Sequence, residues 1–202
     1  LGPFAVPGPL AWSEPTRVSS GERDARDPVL AVDGATDRVH LAWEEDGHYL
    51  RDVFMNDRGW QVVPRAWFGH SPAIAVDDDG FPHIVYIDQV GSPPVAQVFH
   101  FSPRQGWIPC NVSDSSGNSQ TPDIALVSGG ELDVVWAETS AGSTNVYRAR
   151  SRDHGATWLE MAPVGRGLAP RIVGGSGGQG HVAWQAETLM GYSQHKDLYP
   201  AA

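Results

Sequence analysis

The chain has 202 residues, of which 41% are hydrophobic and 19% are charged, a balance typical of a globular protein. Its formal net charge of −10, with one lysine and scattered arginines, argues against nucleic acid as a partner, because phosphates attract clusters of basic side chains. No apolar run approaches the roughly 18 residues of a membrane span, and the single Cys110 excludes an internal disulfide framework.

The N-terminal segment predicts two short pieces rather than a complete sheet. Residues 1–10 are rich in proline and glycine and predict an extended lead. Residues 11–19 predict one isolated β-strand, and a charged connector follows at 21–27.

The rest of the chain repeats one pattern four times. A proline stands shortly before an aliphatic pair at Pro28, Pro72, Pro122 and Pro170. An aromatic residue follows each proline at Trp43, Tyr86, Trp136 and Trp184. Another tryptophan precedes each proline, at Trp12, Trp60, Trp107 and Trp158. This regularity predicts repeat units at about 28–68, 72–112, 122–162 and 170–202.

Each unit predicts a small antiparallel sheet. Short runs of β-branched and aromatic residues, separated by glycine-rich turns, give four strands in the first three units and three strands in the last. Four-stranded sheets that repeat radially form β-propellers. We therefore predict an all-β fold in one domain, 1–202: a β-propeller of four antiparallel blades in which strand 11–19 completes the last blade. The alternative is that this strand pairs with another copy, giving a larger ring or an open assembly.

The segment from Ser151 to Trp158 reads SRDHGATW and resembles SxDxGxTW, the Asp-box or BNR repeat of sialidase-like β-propellers. The surrounding PxIAVDxxGxxHxxW and YxxRSxDxGxTW patterns are similar to those of bacterial extracellular BNR-repeat proteins. The turns from Asn56 to Trp60 and from Ser102 to Trp107 look like shortened copies of the box. The resemblance implies a propeller fold and a secreted or cell-surface location.

The residue types of the box predict a structural role. Asp153 can accept backbone N–H bonds within the turn, and Gly155 can adopt positive φ at little cost. Ser151 and Thr157 can pair with local polar groups, and Trp158 is expected to bury its ring between blades. We therefore interpret Asp153 as a turn residue rather than a catalytic acid.

The resemblance does not extend to the sialidase active site. That activity requires three arginines, a Tyr–Glu pair, an Asp acid/base and an FRIP or YRIP motif early in the chain. The nearest string here, residues 169–173 (APRIV), fits the first strand of the repeat instead. The sequence therefore favours a protein without catalytic residues, with a degenerate glycoside hydrolase as the alternative.

Three carboxylates occupy one repeat position, two residues after the aromatic of the second strand. They are Glu45, Asp88 and Glu138. We predict them as candidate ligand-binding residues that accept sugar hydroxyls or hold Ca²⁺, with hydrogen bonding to neighbouring loops as the alternative. No other cofactor is predicted.

Three residues before the same aromatic, the repeat carries His40, His83, Asp133 and His181. We predict packing roles for the histidines, because equivalent residues in separate blades lie too far apart to share a metal ion.

Propeller faces collect loops from every blade around a central depression, which suits recognition of a ligand. We therefore predict a non-catalytic extracellular recognition or scaffold protein, with carbohydrate binding as its expected activity. The alternative is a subunit of a cell-surface assembly. The expected partner is a glycan or another protein, with the chain acting as a monomer or as part of a larger assembly.

Overall fold

The computed structural model describes residues 13–19, 21–47, 49–56, 58–63, 67–175, 177–186 and 190–195. The described chain is built of β-strands, with a single turn of 3₁₀-helix at Pro103–Gln105. No helix of these residues has the length and apolarity to cross a membrane.

The strands form four antiparallel sheets that follow one another along the chain. The first sheet contains β1 (Ala25–Val32), β2 (Val39–Glu45), β3 (Tyr49–Asn56) and β4 (Gly59–Val62), with β5 (Trp67–Phe68) also pairing with β3. The second contains β6 (His70–Val76), β7 (Pro82–Val90), β8 (Val95–Phe101) and β9 (Cys110–Asn111). The third contains β10 (Asn118–Ser128), β11 (Glu131–Ser140), β12 (Ser143–Ser151) and β13 (Leu159–Arg166). The fourth contains β14 (Leu168–Gly175), β15 (Gln179–Gln185) and β16 (Met190–His195).

The sheets pack face to face, and the aromatic repeat position of the second, third and fourth sheets lies in the contact with the preceding sheet. Trp43, Tyr86, Trp136 and Trp184 are all buried, with at most 9% of their surface exposed. One apolar cluster joins the first two sheets, a larger one joins the second and third, and a third joins the last two. The first strands β1, β6, β10 and β14 pack in that order along one side. This is the radial arrangement of a β-propeller, so the predicted all-β propeller fold is confirmed at that level.

The repeated proline marks a β-bulge in each first strand. The strand register shifts across Asp27-Pro28, Ser71-Pro72, Thr121-Pro122 and Ala169-Pro170. At every bulge the residue before proline has φ between 48° and 53°, the left-handed region that non-glycine residues rarely adopt. Proline suits the bulge because it has no N–H to contribute to a strand ladder.

The described sheets form an open arc rather than a closed ring. No packing comparable to that between successive first strands joins β14 of the last sheet back to β1 of the first in the described chain. The four-bladed closed ring of the sequence prediction is therefore not what the structure shows.

The predicted closing strand is wrong over the part of it that the structure describes. Residues 13–19 contain no strand, while residues 11 and 12 lie outside the described residues. Val18 and Ser19 lie beside Leu41 and Trp43 of the first sheet, on the face opposite the second sheet. Pro15 explains part of this outcome, because it cannot donate to a ladder in the middle of the segment. The lead predicted at residues 1–10 lies outside the described residues.

Candidate functional site

The three predicted ligand carboxylates lie on three different sheets. Glu45 and Glu138 are 3% and 6% exposed, and each accepts a hydrogen bond from the indole Nε1 two residues earlier, Trp43 at 3.2 Å and Trp136 at 3.1 Å. Asp88 is half-buried and accepts from the N–H of the next residue at 2.7 Å. The structure does not bring the three together, and it gives Glu45 and Glu138 internal partners.

Glu45 and Glu138 also have further contacts within the protein. Arg51 Nε donates to Glu45 at 2.9 Å, and Ser119 Oγ donates to Glu138 at 3.4 Å. In the fourth sheet the equivalent position is Ala186, and Trp184 Nε1 donates to the Arg166 carbonyl at 3.1 Å instead. The indole of this repeat position thus has an acceptor in each of these three sheets.

The Asp-box residues form one hydrogen-bonded turn between β12 and β13. Thr157 donates to Asp153 from its backbone N–H at 2.8 Å and from its hydroxyl at 2.7 Å. Ser151 Oγ donates to Asp153 Oδ1 and accepts from the Gly155 N–H, both at 2.8 Å. Gly155 has φ of 82°. Burial alone raises the pKa of Asp153, but the bonds from Thr157 and Ser151 outweigh it and lower this pKa.

The box turn packs against the second sheet. A Cβ on Gly155 would lie 2.4 Å from His100 Cε1, so only glycine fits there. The Trp158 ring meets the His100 ring edge to face, with 5.1 Å between centroids. The turn therefore fills the space between the second and third sheets.

Beneath the turn lies a network of buried ionisable groups in the second sheet. His83 shares hydrogen bonds with His100 at 3.0 Å and with Asp77 at 3.2 Å. Asp77 Oδ2 also contacts Arg104 Nε and, at 3.2 Å, His154 Nδ1. Burial lowers the pKa of His83 to about 4, and it also lowers the pKa of His100 well below its ordinary value. Burial opposes ionisation of Asp77, but bonds from Phe81 N–H, His83 and Arg104 lower its pKa to about 2.

One group of potential metal-ligating atoms exists among the described residues. Asp77, Asp79 and His154 place a carboxylate oxygen or ring nitrogen within 4.8 Å of one another. Arg104 pairs with both carboxylates, so a guanidinium already offsets part of the negative charge of this group. The group does not include the three carboxylates for which Ca²⁺ was predicted.

A cavity of about 330 Å³ lies where the four first strands converge. It is lined by the bulges of the first three sheets and by the start of the fourth: Asp27, Pro28, Val29, Ser71, Pro72, Thr121, Pro122 and Arg171. We call it the axial cavity. At each bulge the residue before proline has a left-handed backbone conformation. This conformation costs about 1–3 kcal/mol of folding free energy per position.

The axial cavity combines complementary hydrogen-bonding groups. Its lining residues carry a carboxylate on Asp27, hydroxyls on Ser71 and Thr121, and a guanidinium on Arg171. Two of these groups also have partners in the protein, since Ser71 Oγ lies 3.0 Å from His70 Nδ1 and Arg171 Nη1 donates to the Pro170 carbonyl at 2.9 Å. Thr121 Oγ1 is buried and has no hydrogen-bond partner in the described chain. Asp27 is the one carboxylate among the described lining residues.

The residues of this cavity were not predicted from the sequence, where the repeated proline served only as a marker of the repeat. The signal was present, because an X-Pro dipeptide at the same strand position in four units indicates a common backbone irregularity.

No family model matches the chain, and no curated protein sequence matches it. Among solved structures, it is similar to an α-L-arabinofuranosidase from Fusarium graminearum, an E242A mutant in complex with an iminosugar inhibitor, at 11% identity and a TM-score of 0.54. That match covers 86% of this chain, which spans 63% of the arabinofuranosidase. This similarity concerns the fold.

Two further solved structures match with lower scores. An endo-arabinase from Bacteroides thetaiotaomicron is 14% identical with a TM-score of 0.46, covering 90% of this chain and 96% of that one. A fucose lectin from Kordia zhangzhouensis, in complex with methyl-fucoside, is 12% identical with a TM-score of 0.43, covering 66% and 96%.

Proposed function

We propose that this propeller recognises a neutral carbohydrate at the axial cavity and does not cleave it. The observation that carries the proposal is the set of polar groups there, since one carboxylate, two hydroxyls and one guanidinium from four sheets surround a single depression. Sugar hydroxyls both donate and accept, so they can pair with all four groups at once. A volume of about 330 Å³ lies in the range of small-ligand sites.

The lining argues for binding over hydrolysis. Glycoside hydrolysis ordinarily uses two carboxyl groups that flank the scissile bond. Asp27 is unaccompanied by a second carboxylate among the described lining residues, and Glu45 and Glu138 each accept a hydrogen bond from a tryptophan of their own sheet.

Two comparisons support a carbohydrate ligand. The arabinofuranosidase shares the fold and binds an iminosugar, a sugar analogue, in its own structure. The box at Ser151 to Trp158 resembles that of BNR-repeat propellers, and we include membership of that group and an extracellular location in the proposal. A glycan displayed outside the cell is then the expected partner.

The test uses a glycan array to find a ligand, followed by titration calorimetry with the best-bound soluble glycan. We expect Asp27→Ala and Arg171→Ala each to weaken binding at least tenfold, with Asp24→Asn as the control, because Asp24 precedes the bulge but does not line the cavity. Thr121→Val removes an unpartnered hydroxyl and should weaken binding without loss of stability.

Two results would contradict the proposal. The first is glycan binding that none of the three lining substitutions changes. The second is turnover of fluorogenic arabinosides or sialosides that Asp27→Ala abolishes, which would make the cavity a hydrolytic site.

A further inference from the structure

A pair of buried polar residues recurs at the same place in the first three sheets. The first member precedes the aromatic of the second strand by three residues, and its partner lies on the third strand. The pairs are His40 with Asp52, His83 with His100, and Asp133 with Arg148. On the third strand, the second member of each pair stands opposite the residue that follows the first member by two places. In the first sheet, for example, Asp52 stands opposite Ala42, two places after His40. Both members therefore lie on the face that packs against the next sheet.

In the second and third sheets these groups are satisfied inside the protein. His83 and His100 share a hydrogen bond, and His83 continues to Asp77. Asp133 lies 3.9 Å from Arg148 and accepts from Arg150 Nε at 2.7 Å.

In the first sheet the pair is not satisfied. His40 is 3% exposed and Asp52 is 1% exposed. Three buried atoms, the two ring nitrogens of His40 and the Oδ1 of Asp52, have no hydrogen-bond partner in the described chain. Buried polar atoms are nearly always paired, so three unpaired atoms of His40 and Asp52 at one place require an explanation.

The explanation is the turn that covers each pair. Over His83 and His100 lies the full box, eight residues from Ser151 to Trp158, with Gly155 and Trp158 against His100. Beside His40 and Asp52 lies the shortened turn of six residues from Ser102 to Trp107, whose Pro103 and Trp107 line the same cavity as the pair.

The tryptophan of the shortened turn also points to different neighbours. Trp107 packs on Trp67 and Phe101, at 5.3 Å and 5.7 Å between ring centroids. A cavity of about 280 Å³ remains, which we call the interface pocket. Its lining includes His40, Asp52, Phe54, Phe81 and Trp107, and it shares no lining residue with the axial cavity.

The interface pocket has room for more than water alone, since one liquid water occupies about 30 Å³. Burial raises the pKa of Asp52 to about 7, and burial together with Arg38 lowers that of His40. Near neutral pH a neutral imidazole and a partly protonated carboxyl both donate and accept. Hydroxyl groups match such partners, because each hydroxyl can donate or accept as required.

The aromatic side chains narrow the class of ligand. Arg38 lies over the Phe54 ring at 5.6 Å, and Arg104 lies over the Phe81 ring at 4.7 Å. These guanidinium groups already use the electron-rich faces that an organic cation needs. A neutral ring with hydroxyls on one edge and C–H groups on its face suits the remaining surface.

We infer that the interface pocket is a second ligand site, which binds one neutral sugar ring through its hydroxyls to His40 and Asp52. The shortened turn opens this site, whereas the full box closes its counterpart one sheet further along.

The test follows the His40 ring signals by NMR while L-arabinose and methyl β-D-galactopyranoside are titrated separately into the protein. Choline and N-acetylneuraminate serve as the cationic and anionic probes. We expect at least one neutral sugar to shift the His40 signals in a saturable way. His40→Phe, which removes no side-chain hydrogen bond, and Asp52→Leu should each weaken binding at the pocket at least tenfold, measured by saturation-transfer difference.

The matched control is His181→Gln, at the same repeat position in the fourth sheet, which should leave binding unchanged. Asp27→Ala separates the two sites, because it affects the axial cavity and should leave the His40 shifts intact. The inference is overturned if neither neutral sugar shifts His40, if choline or N-acetylneuraminate alone does so, or if His40→Phe and Asp52→Leu bind the sugar like the parent protein.

Discussion

Two neighbouring interfaces of this propeller have buried polar residues at the same repeat positions, but one interface is packed and the other contains a cavity. Between the second and third sheets, the eight-residue box covers His83 and His100, and Asp77 completes their hydrogen bonds. Between the first and second sheets, a turn two residues shorter leaves both ring nitrogens of the equivalent His40 and the Oδ1 of Asp52 without hydrogen-bond partners beside a cavity. The shorter turn therefore accompanies an interface in which this repeat position borders a cavity, and the longer box accompanies one in which the same position is packed.

The largest expected effect is in the filled interface. Asp77→Ala removes the acceptor shared by His83, Arg104 and His154, and should lower the free energy of unfolding by about 3–5 kcal/mol, because it breaks a buried charged network. Urea denaturation at pH 7 measures this loss.

Asp79→Ala is the matched control for that variant. It removes the other carboxylate that pairs with Arg104, but this side chain is 62% exposed and the change should cost less than about 1 kcal/mol. Equal losses in the two variants would show that the second interface does not depend on its buried network.

A smaller effect separates the two turns themselves. Ser151 and Ser102 are equivalent and fully buried, but Ser151 Oγ bonds Asp153 and the N–H of Gly155, whereas Ser102 Oγ accepts from Arg104 N at 3.3 Å. Ser151→Ala should therefore cost about 1–3 kcal/mol, and Ser102→Ala about 1 kcal/mol or less. Thermal unfolding of the two variants in parallel checks the order, and a larger loss for Ser102→Ala would contradict it.

The fold was largely predictable because its signals are local. A proline at each bulge and an aromatic in each second strand recur at nearly constant spacing, and the strands observed in the four units follow those marks. The strand predicted at 11–19 failed because nothing in its own residues specifies which sheet it contacts, and Val18 and Ser19 lie against the first sheet.

The candidate sites were less predictable, because they depend on contacts between units. The shortened turn at Ser102 to Trp107 was recognised from sequence, but the space it leaves over Asp52 is a property of the packed sheets. The buried position of Glu45 and Glu138 was equally hidden, since a carboxylate after a strand gives no sign of an indole donor.

The open interface is defined most sharply by Asp52, which is buried and whose Oδ1 has no hydrogen-bond partner in the described chain. Its folded pKa of about 7 lies above the unfolded value of 3.8, so the folded state binds more protons than the unfolded state between these values. This carboxyl therefore lowers stability as pH rises through that window, whereas the depressed pKa of His83, about 4, raises stability as pH increases from about 4 to 6.5.

The most direct measurement is the free energy of unfolding of the parent protein and of Asp52→Asn, compared from pH 4 to pH 8.5. The histidine contributions are common to both proteins, so the difference isolates Asp52. We predict that the two are nearly equal at pH 4 and that the variant becomes more stable by about 3–4 kcal/mol at pH 8.5, because the difference between a folded pKa of about 7 and an unfolded pKa of 3.8 corresponds to about 4 kcal/mol. A difference that does not change with pH, or a variant less stable than the parent at pH 8.5, would contradict the account.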